Sequence, residues 1–216
     1  PWLFEEVYAA AGERMADHVT LRQLQPGYRI FWTGEERHFD FGSDREQLRA
    51  EMRKFSNDDA TRLDAFLDAS GAIHREGILV SGRRNFLGLG DFVKLLPTMA
   101  RLDAIRFLEG WVARFFKEPH VQQAFGFHSL FIGGDPSRVP AIYSALAYLQ
   151  IADGIWYTEG GVYSIIESFG KIIAKMGGVI RTNSKVDQIL HRNGRATGVR
   201  TADGVVHNAD LVIYNG

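Results

Sequence analysis

Asp91, in Gly88-Leu89-Gly90-Asp91-Phe92, stands just before an apolar run, and His128 closes the aromatic segment Phe125-Gly126-Phe127-His128-Ser129. An aspartate in such a place caps a helix by accepting backbone N–H groups. Alternatively its carboxyl, if apolar surroundings raise its pKa, exchanges a proton with a reacting group. His128 either satisfies a buried carbonyl or lines a site. The remaining histidines of the seven show no metal-ligand spacing, and no nucleophile stands beside a base. Gly88-Leu89-Gly90 is no dinucleotide fingerprint, because Val93 stands where a third glycine belongs and no strand is expected before it.

The setting for these residues follows from composition. The chain has 216 residues, 45% of them hydrophobic, enough for one substantial core and a smaller appendage. Lys plus Arg is 25 against 26 for Asp plus Glu, so no basic field exists to attract nucleic acid. Cysteine is absent, which excludes disulfides, thiolate metal sites and a cysteine nucleophile, and agrees with a reducing, cytoplasmic setting. Redox chemistry here requires a borrowed cofactor. No apolar run is long enough to span a bilayer, and the start does not read as a signal peptide. The chain opens on Pro1-Trp2-Leu3-Phe4 and closes on Asp210-Leu211-Val212-Ile213-Tyr214, a buried-type strand that needs a sheet to join. The expectation is an interior piece of a longer protein.

Helical spacing begins at Phe4 and stops at Gly12. Residues 28–32 and 37–41 alternate around Thr33-Gly34-Glu35 and read as a hairpin. Helices are expected from Ser43 to Lys54 and, after the cap Ser56-Asn57-Asp58-Asp59, over Leu63, Phe66, Leu67 and Ile73. Residues 86–131 are aromatic and aliphatic with scattered basic residues, broken by Pro97, Gly110 and Pro119 into short helices. Were 86–117 one helix it would be roughly 48 Å long. Phe92, Trp111 and Phe115 beside Lys94, Arg101 and Arg114 suit either a membrane interface or an ordinary core with solvated cations. Another helix is expected after Pro140 and a short strand at Ile155-Trp156-Tyr157. From Gly160-Gly161 onward the pattern is a helix over 163–176, a strand at Val179-Ile180-Arg181, and a three-stranded meander. Asn193-Gly194 and Asp203-Gly204 supply the meander's turns.

The run Tyr157-Thr158-Glu159-Gly160-Gly161, the helix, Gly177-Gly178-Val179-Ile180-Arg181-Thr182-Asn183-Ser184-Lys185-Val186, the meander and Ala209-Asp210-Leu211-Val212-Ile213 resemble the middle of the flavin amine oxidase superfamily. The segment from Phe125 to Pro136 and the opening Pro1-Trp2-Leu3-Phe4-Glu5-Glu6-Val7-Tyr8 are similar to its bacterial phytoene desaturase branch. The resemblance implies an α+β fold. A largely helical substrate domain with a small antiparallel sheet occupies 1–154, and 155–216 is part of a Rossmann-like FAD domain. It also implies FAD as cofactor, although the family's glycine-rich pyrophosphate loop is not found in this chain. Val186 occupies the place whose backbone meets the adenine, with a core valine as the ordinary alternative.

What the resemblance further implies is desaturation of a long isoprenoid of the phytoene type, by hydride transfer to flavin and loss of a proton from the neighbouring carbon. An apolar slot is expected from Ile30, Phe31, Phe39 and Phe41 of the hairpin with Phe92, Phe127 and His128. Asp91 is the candidate proton acceptor. Since the polyene comes from lipid, the resemblance favours peripheral membrane contact for 86–117. A small-molecule flavin oxidase of the same superfamily, or a non-catalytic isoprenoid carrier, are the other readings.

Overall fold

Alternation of apolar and polar residues at 28–31 and 38–41 folds that stretch into an antiparallel hairpin with one inward face, and the helices after it exist to cover that face. The computed structural model describes residues 1–82, 85 and 87–215, without the side chain of residue 92. From Pro1 to Ser164 the elements run α1 (Trp2–Ala10), β1 (Leu21–Leu24), β2 (Tyr28–Phe31), β3 (His38–Phe41), α2 (Arg45–Arg53), α3 (Asn57–Ala60), α4 (Leu63–His74), a π-helical stretch (Arg75–Ser81), α5 (Leu89–Val93), α6 (Leu96–Arg101), α7 (Leu108–Val112), α8 (Pro119–Gly126), a 3-10 segment (Phe127–Ile132), α9 (Ser144–Asp153) and β4 (Ile155–Thr158). Mixed helices with small antiparallel sheets are what the α+β expectation required.

In the hairpin Tyr28 pairs with Phe41 and Ile30 with Phe39. Phe39 and Phe41 are fully buried, and Phe125 of α8 meets both rings edge-on. Phe66 of α4 is the hub of the aromatic core, with ring centroids 5.0 Å from Phe125, 5.2 Å from Phe116 and 5.5 Å from Trp111. Truncating such a side chain to alanine costs about 3–5 kcal/mol, because the cavity left behind closes only in part. Gly71 lets α9 lie close on α4, since a Cβ there would stand 2.7 Å from the Tyr148 ring.

Helix starts follow their caps. Asp44, not Ser43, caps α2 by accepting from Glu46 N and Gln47 N at 2.9 and 3.0 Å. Ser56 caps α3 through Asp59 N. The short helices expected in the 86–131 region form as α5 to α8. The expected strand near 155 forms as β4, but its partner is β1, far back in the chain, with Leu21 opposite Thr158. Two compact units divide between Ser164 and Ile165.

Helix α10 (Tyr163–Lys175), whose first two residues precede the second unit, ends before Gly177, whose φ of +84° favours glycine. β5 (Val186–Arg192), β6 (Arg195–Thr201) and β7 (Val206–Asn208) form the expected meander in the order β5-β6-β7. Asn193 and Gly194, both at positive φ, make the first turn. Two expected strands do not form among the described residues. Residues 179–181 and 210–214 lie outside any described ladder, and Val179, Leu211 and Ile213 are exposed. An apolar run becomes a strand only when its backbone meets another, and no described strand pairs with either segment.

Candidate functional site

The hairpin's alternation sorts the expected slot residues into different places. Ile30 is half-buried and, with Trp32, lines the wall of an open cavity of about 590 Å³ together with Gln122, Gln123, Phe127 and Leu130. Phe41 and His128 lie behind that wall, 4.9 Å apart, and Phe39 is deeper in the core. Phe31 is 69% exposed on the opposite face, beside His38. Neighbouring strand residues point to opposite faces, so one slot cannot hold Ile30 and Phe31 together. This corrects the grouping of all four hairpin residues. The side chain of Phe92 lies outside the described residues.

His128 is fully buried, and its partners come from distant elements. Its Nε2 lies 2.8 Å from the Tyr28 hydroxyl, which donates to Gln150 Oε1 at 2.9 Å. With Tyr28 donating to Gln150, the imidazole donates Nε2–H to Tyr28 and its Nδ1 carries a lone pair. No hydrogen bond of good geometry reaches Nδ1. Burial pushes the His128 pKa down to about 4, and the Phe125 carbonyl and Gln150 offset only part of that. Burial also raises the Tyr28 phenol far above its ordinary value. At neutral pH all three groups are uncharged, so they serve as a polar pin joining β2, the 3-10 segment and α9. The pin fixes the wall that carries Phe127. Tyr28 was legible as part of the inward row of the hairpin, whereas nothing in the sequence marked Gln150.

Asp91 lies within the first turn of α5. Its carboxylate accepts from Leu87 N at 3.2 Å and pairs with Lys94 Nζ at 3.2 Å, which are the bonds of a helix-start residue. It lines neither the cavity described above nor a second, smaller one. That second cavity, about 210 Å³ and almost wholly apolar, is lined by Ile73, Gly77, Leu95, Met99, Leu102 and Ile142 and lies against the π-helical stretch. π-helical turns are rare and concentrate at functional positions. Leu79 and Val80 of that stretch, and Leu87, Leu89, Val93 and Leu96 after it, are exposed.

The aromatic and basic region thus divides. Its first part presents apolar side chains to the outside, while Trp111 is 2% exposed, Phe116 is fully buried and Phe115 packs against the core. The interface reading of Trp111 and Phe115 is corrected accordingly: Phe66 meets both rings edge-on.

A buried carboxylate missed in the sequence is Asp59 of α3. It accepts from Lys117 N at 2.9 and 3.0 Å and from Glu118 N at 2.8 Å, tying α3 to the start of α8. Among the described residues no group of three or more metal-ligating side chains is assembled.

A flavin finds a partial fit. Among the described residues β5 is an edge strand of its sheet, so backbone groups on its outer side have no described ladder partner, and Val186 at its start is 48% exposed. Gly88 and Gly90 open α5, with no described strand leading into them. The outer edge of β5 at Val186 is thus open to a backbone contact.

Residues 2–215 match the family of flavin containing amine oxidoreductases. The chain belongs to that family. It is 34% identical over its whole length to the lycopene-forming phytoene desaturase of Paracoccus sp., covering 43% of that protein. It is also 34% identical over its whole length to the neurosporene-forming phytoene desaturase of Rhodobacter capsulatus, covering 41%. The zeta-carotene-forming phytoene desaturase of Myxococcus xanthus is 29% identical, again over the whole chain and 42% of that protein. The chain thus spans less than half the length of these relatives. Among solved structures, an oxidoreductase from Methanosarcina mazei matches 89% of this chain and 40% of its own, with a TM-score of 0.53 at 19% identity, a likeness of fold.

Proposed function

We propose that this chain is the substrate-side region, with a portion of the Rossmann-like flavin domain, of an FAD-dependent carotenoid desaturase. The observation that supports the reading is similarity over the whole chain to desaturases whose shared substrate, by name, is phytoene. Desaturation takes a hydride from one saturated carbon and a proton from its neighbour, leaving a conjugated double bond, and bound FAD supplies the hydride acceptor. The chain's own part is to hold a long apolar substrate. Ile30, Phe127 and Leu130 offer an apolar wall, stiffened from behind by Phe41, Phe39 and the Tyr28–His128–Gln150 pin. Val186 contributes a backbone contact to the cofactor.

A polyene of this kind partitions into lipid, so the protein meets a membrane from one side. The exposed leucines and valines at 79–96 with Lys94 and Arg101 are the surface suited to that contact. No helix among the described residues is long and apolar enough to cross a membrane. The deciding experiment supplies the full-length, flavin-loaded protein with phytoene in liposomes and, separately, with primary amines. Growth of conjugated-polyene absorbance is expected; flavin reduction by an amine with none by phytoene would overturn the reading.

A further inference from the structure

The turn that joins β2 to β3 is attached to α8 by a histidine held between two carboxylates. His120 lies within 2.7 Å of Glu118 Oε1 through Nδ1 and within 2.7 Å of Glu35 Oε1 through Nε2. Both bonds require the ring to donate at both nitrogens, which only the protonated imidazole does. The two carboxylates differ in freedom. Glu118 is the N-cap of α8, its other oxygen accepting from Val121 N at 2.9 Å, and its backbone N–H is held by the buried Asp59. Glu35 sits on an exposed turn. Between them the imidazole packs against Trp32, centroids 4.7 Å apart, and Phe55, 5.3 Å apart. Trp32 is a wall of the larger cavity and donates Nε1–H to Gln123 Oε1 at 2.5 Å.

We propose that His120 is a pH-operated clasp that fixes the 33–37 turn beside the cavity between β2 and α8, bonded to both Glu118 and Glu35 when protonated and released from Glu35 when neutral. The neutral ring keeps one N–H. Glu118 is anchored by its capping bond and retains it, so a lone pair then faces the Glu35 carboxylate and the turn loses that attachment.

The charged neighbours support this direction. The Glu118 carboxylate, and after it Glu35, hold His120 above the ordinary imidazole pKa against a partial loss from burial. Glu35 is correspondingly held below the usual carboxylate range, by His120 first and Arg37 next. Arg37 bonds Glu35 Oε2 at 3.1 Å and lies over the Phe55 ring, while Lys117 turns its ammonium to the Ala113 carbonyl. Arg37 and the Trp32–Gln123 bond remain at high pH, so the turn loosens without detaching. The sign is that of a base whose pKa is raised on folding: the attachment is complete below the ordinary imidazole pKa and lost as pH rises through the raised one.

The test is hydrogen–deuterium exchange of residues 33–37 in the full-length protein from about pH 5.5 to about pH 8.5, corrected for intrinsic exchange with an unstructured peptide. Protection at Glu35, whose N–H bonds the Trp32 carbonyl, is expected to fall about two- to fivefold across the His120 transition, the worth of one partly shielded ion pair. In His120→Gln the profile is expected to be flat. Should that variant misfold, Glu35→Gln removes the partner carboxylate from the exposed turn and is expected to flatten the profile as well. A wild-type turn whose protection does not change with pH, or a change that survives either substitution, overturns the proposal.

Discussion

Acid should weaken this protein through His128, and the size of the effect follows from its burial. The ring's pKa is ordinarily 6.5 and falls to about 4 in the fold, so between those values the unfolded chain binds a proton that the folded one refuses. Stability from this group is therefore fully present above the unfolded value and lost as pH falls towards the folded one. Weighing the two protonation equilibria, roughly 2–3 kcal/mol should disappear between neutral pH and pH ~4.5. His120, whose pKa its two carboxylate neighbours raise, acts with the opposite sign. The measurement is accordingly a difference: urea unfolding of wild type and His128→Gln at both pH values, with the change in the variant subtracted. The substituted glutamine cannot charge, so the variant should lose roughly 2–3 kcal/mol less than wild type on acidification, whatever its stability at neutral pH. Equal losses in the two proteins would refute the reasoning and mean that the buried imidazole accepts its proton without opening the Tyr28–Gln150 pin.

Asp59→Ala should cost about 3 kcal/mol, because two part-buried N–H groups at the start of α8 lose a charged acceptor, while Asp59→Asn should cost about 1 kcal/mol; chemical denaturation distinguishes them. Replacing Leu87, Leu89 and Val93 by Gln should release the full-length protein from anionic liposomes without altering its melting temperature, whereas Trp111→Ser should lower stability by about 3 kcal/mol or more; flotation and calorimetry read the two. For Asp91→Asn, a turnover loss of about tenfold or more at equal flavin occupancy marks proton exchange, and near-parental turnover marks a helix-start role filled by the Asn amide oxygen.

The elements legible in the sequence are those whose cause is local. Period-two alternation on either side of Gly34 specified the β2–β3 hairpin, Asn193-Gly194 specified the first turn of the meander, and Ser56 capped α3, because each depends on residues a few positions apart. The same alternation contained the separation of Phe31 from Ile30, although residue type alone had grouped them. Tertiary structure decided what depends on partners distant in the chain. The partner of β4 is β1, far back in the chain, since a strand's identity lies in its neighbour's backbone. Residues 179–181 and 210–214 read as strands from composition, yet neither finds a described partner to complete its hydrogen bonds. Trp111 and Leu89 looked alike as apolar members of one stretch; packing against Phe66 made the first core and left the second on the surface. Tyr28, His128 and Gln150 meet across more than a hundred residues of chain, and Asp59 meets Lys117 and Glu118 across nearly sixty. Local patterns fix which face a side chain takes, but a buried polar group is defined by the partner that satisfies it, and only the folded chain brings that partner within reach.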